Sequence, residues 1–127
     1  MKQSAGHYVG WELPEGERKR LLVQFPPLYP DVIAHHVTLV FGVGADCPLP
    51  EETQGFVVGI ADDRVRVQAL VIEVGGTTDR PDGSTYHITW SIDKRAGAKP
   101  VHSNEVVKKD ARSVERTPVV LIPKLFP

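Results

Sequence analysis

The chain is divided by 11 glycines and 11 prolines that fall between short apolar runs. Runs of this length do not build long helices, and their enrichment in β-branched and aromatic residues favours strands joined by turns. No internal repeat or low-complexity tract interrupts the pattern. We therefore expect an α+β fold dominated by antiparallel sheet.

Six segments predict strands, and two predict short helices. The predicted strands cover residues 6–13, 33–43, 55–60, 64–74, 85–92 and 117–122. Acidic residues early in 14–25, basic residues later and apolar residues at helical spacing predict an amphipathic helix. A second short helix is predicted within 104–114. The remaining predictions are an antiparallel hairpin made by the third and fourth strands, a turn at 79–84 and a loop at 94–100.

Chain length and charge limit the classes of function. A chain of 127 residues suffices for one domain with a hydrophobic core, which we expect to span residues 1–127. No segment resembles a signal peptide or a membrane span, so we expect a cytoplasmic protein without a membrane partner. The net charge of −1 lacks the positive field that duplex DNA selects, which leaves small or locally held nucleotides as partners. Nothing in the sequence predicts an oligomeric state.

Two near-identical tetrads carry the chemistry. His36-Val37-Thr38-Leu39 and His87-Ile88-Thr89-Trp90 both lie in predicted strands. The composition gives about 0.3 His-x-Thr triplets by chance, so two are more than expected. In a strand, residues i and i+2 point to the same side, and each tetrad therefore presents an imidazole beside a hydroxyl.

Two such strands facing one groove have the groups needed to cleave a phosphodiester. One neutral imidazole takes a proton from the attacking oxygen, and a protonated imidazole on the other side donates to the leaving oxygen. The threonine hydroxyls donate to the non-bridging phosphate oxygens. This chemistry requires no metal and no cofactor. Cys47, the single cysteine, has no disulfide partner and lies in no zinc-binding pattern.

The paired tetrads resemble the two-histidine (2H) phosphoesterase superfamily, which is defined by two His-x-[Thr/Ser]-x motifs on strands. Its members include cyclic phosphodiesterases, RNA-repair phosphodiesterases and phage enzymes that degrade cyclic oligonucleotide signals. The resemblance implies a bilobal, pseudosymmetric fold in a minimal version, because larger relatives have longer chains and wider motif spacing. It makes His36 and His87 the acid/base pair and Thr38 and Thr89 the phosphate-binding hydroxyls, without assigning acid and base.

Further candidates lie outside the tetrads. Residues 97–105 resemble a segment that follows the second motif in the cyclic phosphodiesterase part of fungal-type transfer-RNA ligases, which makes Ser103 and Asn104 substrate-binding candidates. Tyr29 is a third, because its ring can stack on a base. Tyr8 and Trp11 share this interpretation, with core packing as the alternative for all three aromatic residues.

The remaining histidines and the basic loop have simpler interpretations. His35 precedes His36 and is expected on the opposite face, either structural or exposed. His7 and His102 are expected to be solvated. Three basic residues after the second tetrad either steer an anionic substrate or form a solvated cluster: Lys94, Arg95 and Lys99. Three residues that alternate with His87 are expected in the core: Tyr86, Ile88 and Trp90.

The sequence leaves three hypotheses. The first is a metal-independent phosphodiesterase that acts on an RNA-type 2′,3′-cyclic phosphate end or on a cyclic or short oligonucleotide. The second is a binding module that holds a nucleotide in the same groove without cleaving it. The third is a structural or partner-binding β domain in which the two tetrads occur by chance.

Overall fold

The computed structural model describes residues 6–127, which form two antiparallel sheets and two short α-helices. The α+β class with antiparallel sheet is therefore confirmed. One tetrad lies in each sheet, and the two sheets differ in size, with three and five strands.

The smaller sheet carries the first tetrad. Its order is β3-β1-β8, with β1 (His7–Glu12) between β3 (His36–Val43) and β8 (Ile122–Phe126). The β1–β3 pairing contains irregularities, one of them between Val9 and Gly10. A Cβ atom at Gly10 would lie 2.1 Å from the carbonyl oxygen of Val37, so only glycine permits this approach.

The larger sheet carries the second tetrad and has the order β2-β6-β5-β4-β7. Its strands are β2 (Asp31–Val32), β4 (Gln54–Asp62), β5 (Val67–Glu73), β6 (His87–Ile92) and β7 (Ala111–Val120). The central strand β5 is buried along almost its whole length, as its apolar sequence requires. The hairpin predicted from 55–60 and 64–74 is confirmed as β4 and β5.

The helices are short. The first, α1 (Glu15–Gln24), follows Pro14 and matches the predicted amphipathic segment. The second, α2 (Ser103–Lys109), follows two 3₁₀ turns at Lys94–Ala96 and Pro100–His102. No helix in the described part of the chain is long and apolar enough to cross a membrane.

The core lies against both sheets and includes the two tryptophans. Trp11 is 1% exposed and donates to the carbonyl of Glu52 at 2.8 Å, while Trp90 is fully buried and donates to the carbonyl of Phe25 at 2.7 Å. Core packing is therefore the correct interpretation of Trp11. The core assignments of Tyr86, Ile88 and Trp90 are also confirmed, since all three side chains are buried.

Several predicted boundaries are wrong. The strand predicted at 33–43 begins only at His36, because Ala34 has a positive φ of 44° and is not extended. The short helix predicted within 104–114 is confirmed as α2, but strand β7 already begins at Ala111, before the predicted start of the closing strand. The closing strand predicted at 117–122 is divided between the ends of β7 and β8.

Candidate functional site

A pocket of about 300 Å³ lies where the two tetrads meet. Its volume is at the lower end of the range for small-molecule sites, roughly 300–1,000 Å³. Six of the predicted site residues border it: His36, Thr38, His87, Thr89, Ser103 and Asn104. The other lining residues are Tyr8, Ile33, Phe41, Arg80, Pro100 and Val101.

His36 and Thr38 border the pocket from the N-terminal end of β3. Strand alternation places them on one side, as predicted. The ring of His36 packs against two aromatic rings, Tyr8 at 5.4 Å and Phe126 at 5.0 Å between centroids. Burial is the largest cause that lowers the pKa of His36 to about 4, and the charges of His35, His87 and Arg80 act in the same direction. His36 is therefore neutral at pH 7 in the free protein.

His87 lies at the start of β6 with both ring nitrogens engaged, and it is only 6% exposed. Nδ1 lies 2.7 Å from the carbonyl oxygen of Thr85, which can only accept, and 3.3 Å from Nη2 of Arg80, which can only donate. We assign the Nδ1 proton to the shorter contact with Thr85, so the contact with Arg80 is not a hydrogen bond in this tautomer. Nε2 lies 2.9 Å from the hydroxyl of Ser103. Burial, the largest cause, and the charge of Arg80 together lower the pKa of His87 to about 4, against the opposing effect of the bond to Thr85.

Ser103 joins the second tetrad to the loop before α2. Its Oγ lies 2.8 Å from Oγ1 of Thr89 and 2.6 Å from the carbonyl oxygen of Pro100. The hydroxyl has one proton for three neighbours, so its donor role changes with the protonation state of His87. When Nε2 is protonated, it donates to Ser103, and Ser103 donates to Pro100. Both N–H groups of a protonated His87 therefore have acceptors.

Arg80 is the site residue that the sequence analysis missed. It is 5% exposed and borders the pocket, and Nε is buried without a hydrogen-bond partner within residues 6–127. Nη1 donates to Ser84 at 3.3 Å, and no carboxylate of the described chain lies within ion-pair distance of the guanidinium. A buried cation without a counter-ion is costly, and an anion in the pocket would offset that cost.

The sequence signal for Arg80 was weak because it lies in the turn predicted at 79–84, which is confirmed. Turn residues are normally solvated, and no sequence periodicity distinguishes a turn residue whose side chain is buried. Its proximity in sequence to the second tetrad was the only available indication.

Two aromatic residues border the pocket, but Tyr29 is not one of them. Tyr8 lies over the ring of Phe126 at 4.8 Å between centroids, and Phe41 is 57% exposed at the pocket. The hydroxyl of Tyr29 donates instead to Asp62 at 2.5 Å, and the burial of this group with the neighbouring carboxylate raises the pKa of Tyr29. The structure therefore does not bring Tyr29 to the tetrads.

The loop cations and the histidines outside the tetrads are placed as follows. None of the three basic residues at 94, 95 and 99 borders the pocket. His7 lies 3.3 Å from the carbonyl of Phe126, and His102 accepts from the backbone N–H of Lys99. Both therefore have protein partners instead of being only solvated. His35 is exposed, as expected, but its ring lies against His36 instead of on the opposite face.

The described residues contain no group of three or more His, Cys, Asp or Glu side chains placed to hold a metal ion. Comparison of the chain with protein-family models, with curated proteins and with solved structures found no match.

Proposed function

We propose that the protein is a phosphodiesterase that uses His36 and His87 as a general acid/base pair and works without a metal. The observation that carries the proposal is the convergence of both His-x-Thr tetrads on one pocket, which is also bordered by a buried arginine that forms no ion pair with residues 6–127. Two imidazoles supply proton transfer, and the arginine supplies charge for an anionic substrate.

The reaction is an in-line displacement at phosphorus. One imidazole accepts a proton from water as the water oxygen bonds to phosphorus. The bond from phosphorus to the leaving oxygen breaks, and the other imidazole donates a proton to that oxygen. Arg80 and the hydroxyls of Thr38 and Thr89 stabilise the negative charge on the non-bridging oxygens.

Substrate binding also changes the protonation equilibria of the two pocket histidines. Both histidines have pKa values of about 4 in the free protein, so neither is a ready acid at neutral pH. A bound phosphodiester brings a negative charge beside them, which raises both pKa values. The substrate thus favours the singly protonated pair on which the reaction depends.

The architecture supports a 2H-type interpretation. Each sheet carries one tetrad on one strand, β3 in the smaller sheet and β6 in the larger. We interpret the sheets as the two pseudosymmetric lobes of a minimal 2H-like domain, with unequal lobes. A cytoplasmic location fits the proposed nucleotide substrates.

The pocket favours a substrate that presents one nucleotide unit at a time. A volume of about 300 Å³ accommodates one such unit better than a whole cyclic trinucleotide. Within our proposal, an RNA-type 2′,3′-cyclic phosphate end therefore ranks ahead of a cyclic oligonucleotide. The exposed ring of Phe41 is available to stack on a base.

One observation favours a second candidate, a nucleotide-sequestering module. Nε2 of His87 is occupied by Ser103, and the ring is almost wholly buried. If Ser103 keeps this bond when a ligand is present, His87 does not reach a leaving oxygen directly. The pocket then binds a phosphate through Arg80 and the hydroxyls without turnover.

The test is turnover by EDTA-treated protein of a panel of nucleoside 2′,3′-cyclic phosphates and cyclic di- and trinucleotides, from about pH 5 to 8. Wild type is compared with His36→Ala, His87→Ala and the control His7→Ala, whose ring lies outside the pocket. We expect cleavage by wild type and the control, with a loss of about 100-fold or more in the other two variants.

Each alternative gives a different result. Binding without product by wild type supports the sequestering module. The absence of both binding and turnover for the whole panel leaves a β domain with chance tetrads. Turnover that survives in His36→Ala and His87→Ala, or that occurs only in protein without EDTA, contradicts the proposed mechanism.

A further inference from the structure

His35 lies between the pocket histidine His36 and a surface carboxylate. Nδ1 of His35 is 3.0 Å from Nδ1 of His36, and the two rings meet edge to face at 5.2 Å between centroids. On the other side of the ring, Nε2 is 3.6 Å from Oε2 of Glu12, the separation of a charge contact. Lys124 holds the same carboxylate oxygen at 3.1 Å.

The backbone at Ala34 creates this arrangement. Ala34 has a φ of 44°, a left-handed conformation that non-glycine residues rarely adopt, and it is fully buried. Its N–H donates to Thr89 at 3.0 Å, and its carbonyl accepts from Nε of Arg18 at 3.0 Å. These bonds hold Ala34 in a non-extended conformation just before β3. The alternation of side chains along a strand therefore does not apply at His35, and its ring lies beside that of His36.

The proton positions follow from the partners. Glu12 is too far from His35 for a hydrogen bond, but its negative charge favours the tautomer of neutral His35 whose N–H faces it, so Nε2 carries the proton. Nδ1 of His35 then has a lone pair, and Nδ1 of His36 must donate to it. This leaves the lone pair of a neutral His36 on Nε2, which no hydrogen bond engages within residues 6–127.

The two pocket histidines are therefore not equivalent. His36 has an unengaged Nε2 lone pair in its neutral form, which suits a base. His87 has an acceptor for each N–H when it is protonated, with Thr85 at Nδ1 and Ser103 at Nε2, which suits an acid.

We propose that His35, held by Glu12, is a positioning residue that fixes the Nδ1–H tautomer of His36 and so makes His36 the general base and His87 the general acid. This inference rests on the proposed function for its catalytic part only, because the tautomer of His36 is a property of the free protein. In the reaction, water gives its proton to Nε2 of His36, and Nε2 of His87 gives its proton to the leaving oxygen, which replaces Ser103 as the partner of that nitrogen.

The charged and titratable groups around this pair come from four parts of the fold. Glu12 on β1 and Lys124 on β8 face His35, while Arg80 in the turn before β6 and His87 on β6 act on His36.

The test separates the acceptor at position 35 from the packing of the ring. His35→Asn keeps an oxygen near the position of Nδ1, whereas His35→Phe keeps the ring without an acceptor. Long-range ¹H–¹⁵N correlation spectra at about pH 7, where His36 is neutral, show which ring nitrogen carries the proton. His7→Phe is the control, since His7 does not contact His36.

We expect the Nδ1–H tautomer of His36 in wild type, His35→Asn and the control, and a shift towards Nε2–H in His35→Phe. On a substrate from the panel, His35→Phe should lower kcat by about 10–100-fold with little change in KM, and His35→Asn should restore most of it. Thermal melting of all variants checks that the fold is intact.

An Nε2–H tautomer in wild type, or an unchanged tautomer in folded His35→Phe, overturns the proposal. A tautomer shift together with normal kcat overturns the catalytic part. A tautomer shift in a protein that turns over nothing in the panel retains the positioning role and instead contradicts the proposed phosphodiesterase activity.

Discussion

At the scale of single residues, Arg80 adds to the effect of burial on the two pocket histidines. Its charge acts on His36 and His87 together, and it lowers the pKa of both below their ordinary value. Burial lowers the pKa of Arg80 itself, and the nearby charge of Asp82 opposes that effect. Arg80 is thus a buried cation that disfavours further positive charge in the pocket.

Replacement of Arg80 by glutamine should raise the pKa values of both histidines from about 4 towards 6.5. We expect a rise of roughly one unit or less, because burial, the larger cause, remains. NMR titration of the imidazole C–H resonances measures both values. Arg95→Gln, which removes an exposed arginine outside the pocket, should leave them unchanged.

The same variant tests anion binding. Arg80→Gln should weaken phosphodiester binding by about tenfold or more, since the buried cation is lost. Unchanged histidine pKa values and unchanged affinity would together show that Arg80 does not act on the pocket as we propose.

The residues of the site differ in how far the sequence predicts them. The pairs His36/Thr38 and His87/Thr89 follow from strand alternation, which is local, and all four side chains border one pocket. Arg80 and the contact between His35 and His36 depend on a turn and on the positive φ of Ala34, and neither leaves a periodic pattern. Local patterns therefore located the tetrads but not the groups that set their protonation.

At the scale of elements, the strands with β-branched residues were predictable and the ends of the chain were less so. The run that forms β5 is apolar throughout and was assigned correctly. Residues 111–113 are small or polar, and they become strand because they pair with β4, about 50 positions earlier in the sequence. Such pairing is a tertiary effect that overrides local propensity.

The close pairing of β1 and β3 positions the first tetrad, and Gly10 is its weak point. Gly10→Ala places a Cβ atom 2.1 Å from the carbonyl oxygen of Val37, a backbone atom that moves only with β3. We expect the free energy of unfolding to fall by about 3 kcal/mol, near the upper end for overpacking. Because β3 carries His36 and Thr38, ligand binding should also weaken.

The matched control is Gly16→Ala in α1, where a new Cβ atom meets nothing within 4 Å. Alanine is the better helix former, so this variant should gain about 0.5 kcal/mol. Urea denaturation followed by far-UV circular dichroism gives both values. Equal stabilities for the two variants would mean that the β1–β3 approach is not the constraint we describe.

At the scale of the whole molecule, the two buried histidines link stability to pH. Their folded pKa values are about 4, below the 6.5 of an unfolded histidine. Between these values the unfolded chain binds protons that the folded protein does not, so the free energy of unfolding rises with pH. Stability should therefore fall as the pH drops from about 6.5 to 4. The carboxylates act lower, because the pKa values of Asp63 and Asp82 lie below 3.8.

The pH range from about 6.5 to 4 tests the contribution of His87, which is 6% exposed. The pKa of His87 is lowered from 6.5 to about 4, which corresponds to about 3 kcal/mol of stability lost across this pH range. In His87→Asn, which cannot titrate, that part of the dependence should disappear, although the variant is less stable at pH 7. Denaturant unfolding of wild type and His87→Asn at intervals from pH 7 to 4 measures the two slopes. His102→Asn, in the 3₁₀ turn before α2 and outside the pocket, is the control. Parallel curves for wild type and His87→Asn would mean that His87 already takes up its proton in the folded protein. The pocket would then not be the desolvated, positively charged site on which the proposed chemistry depends.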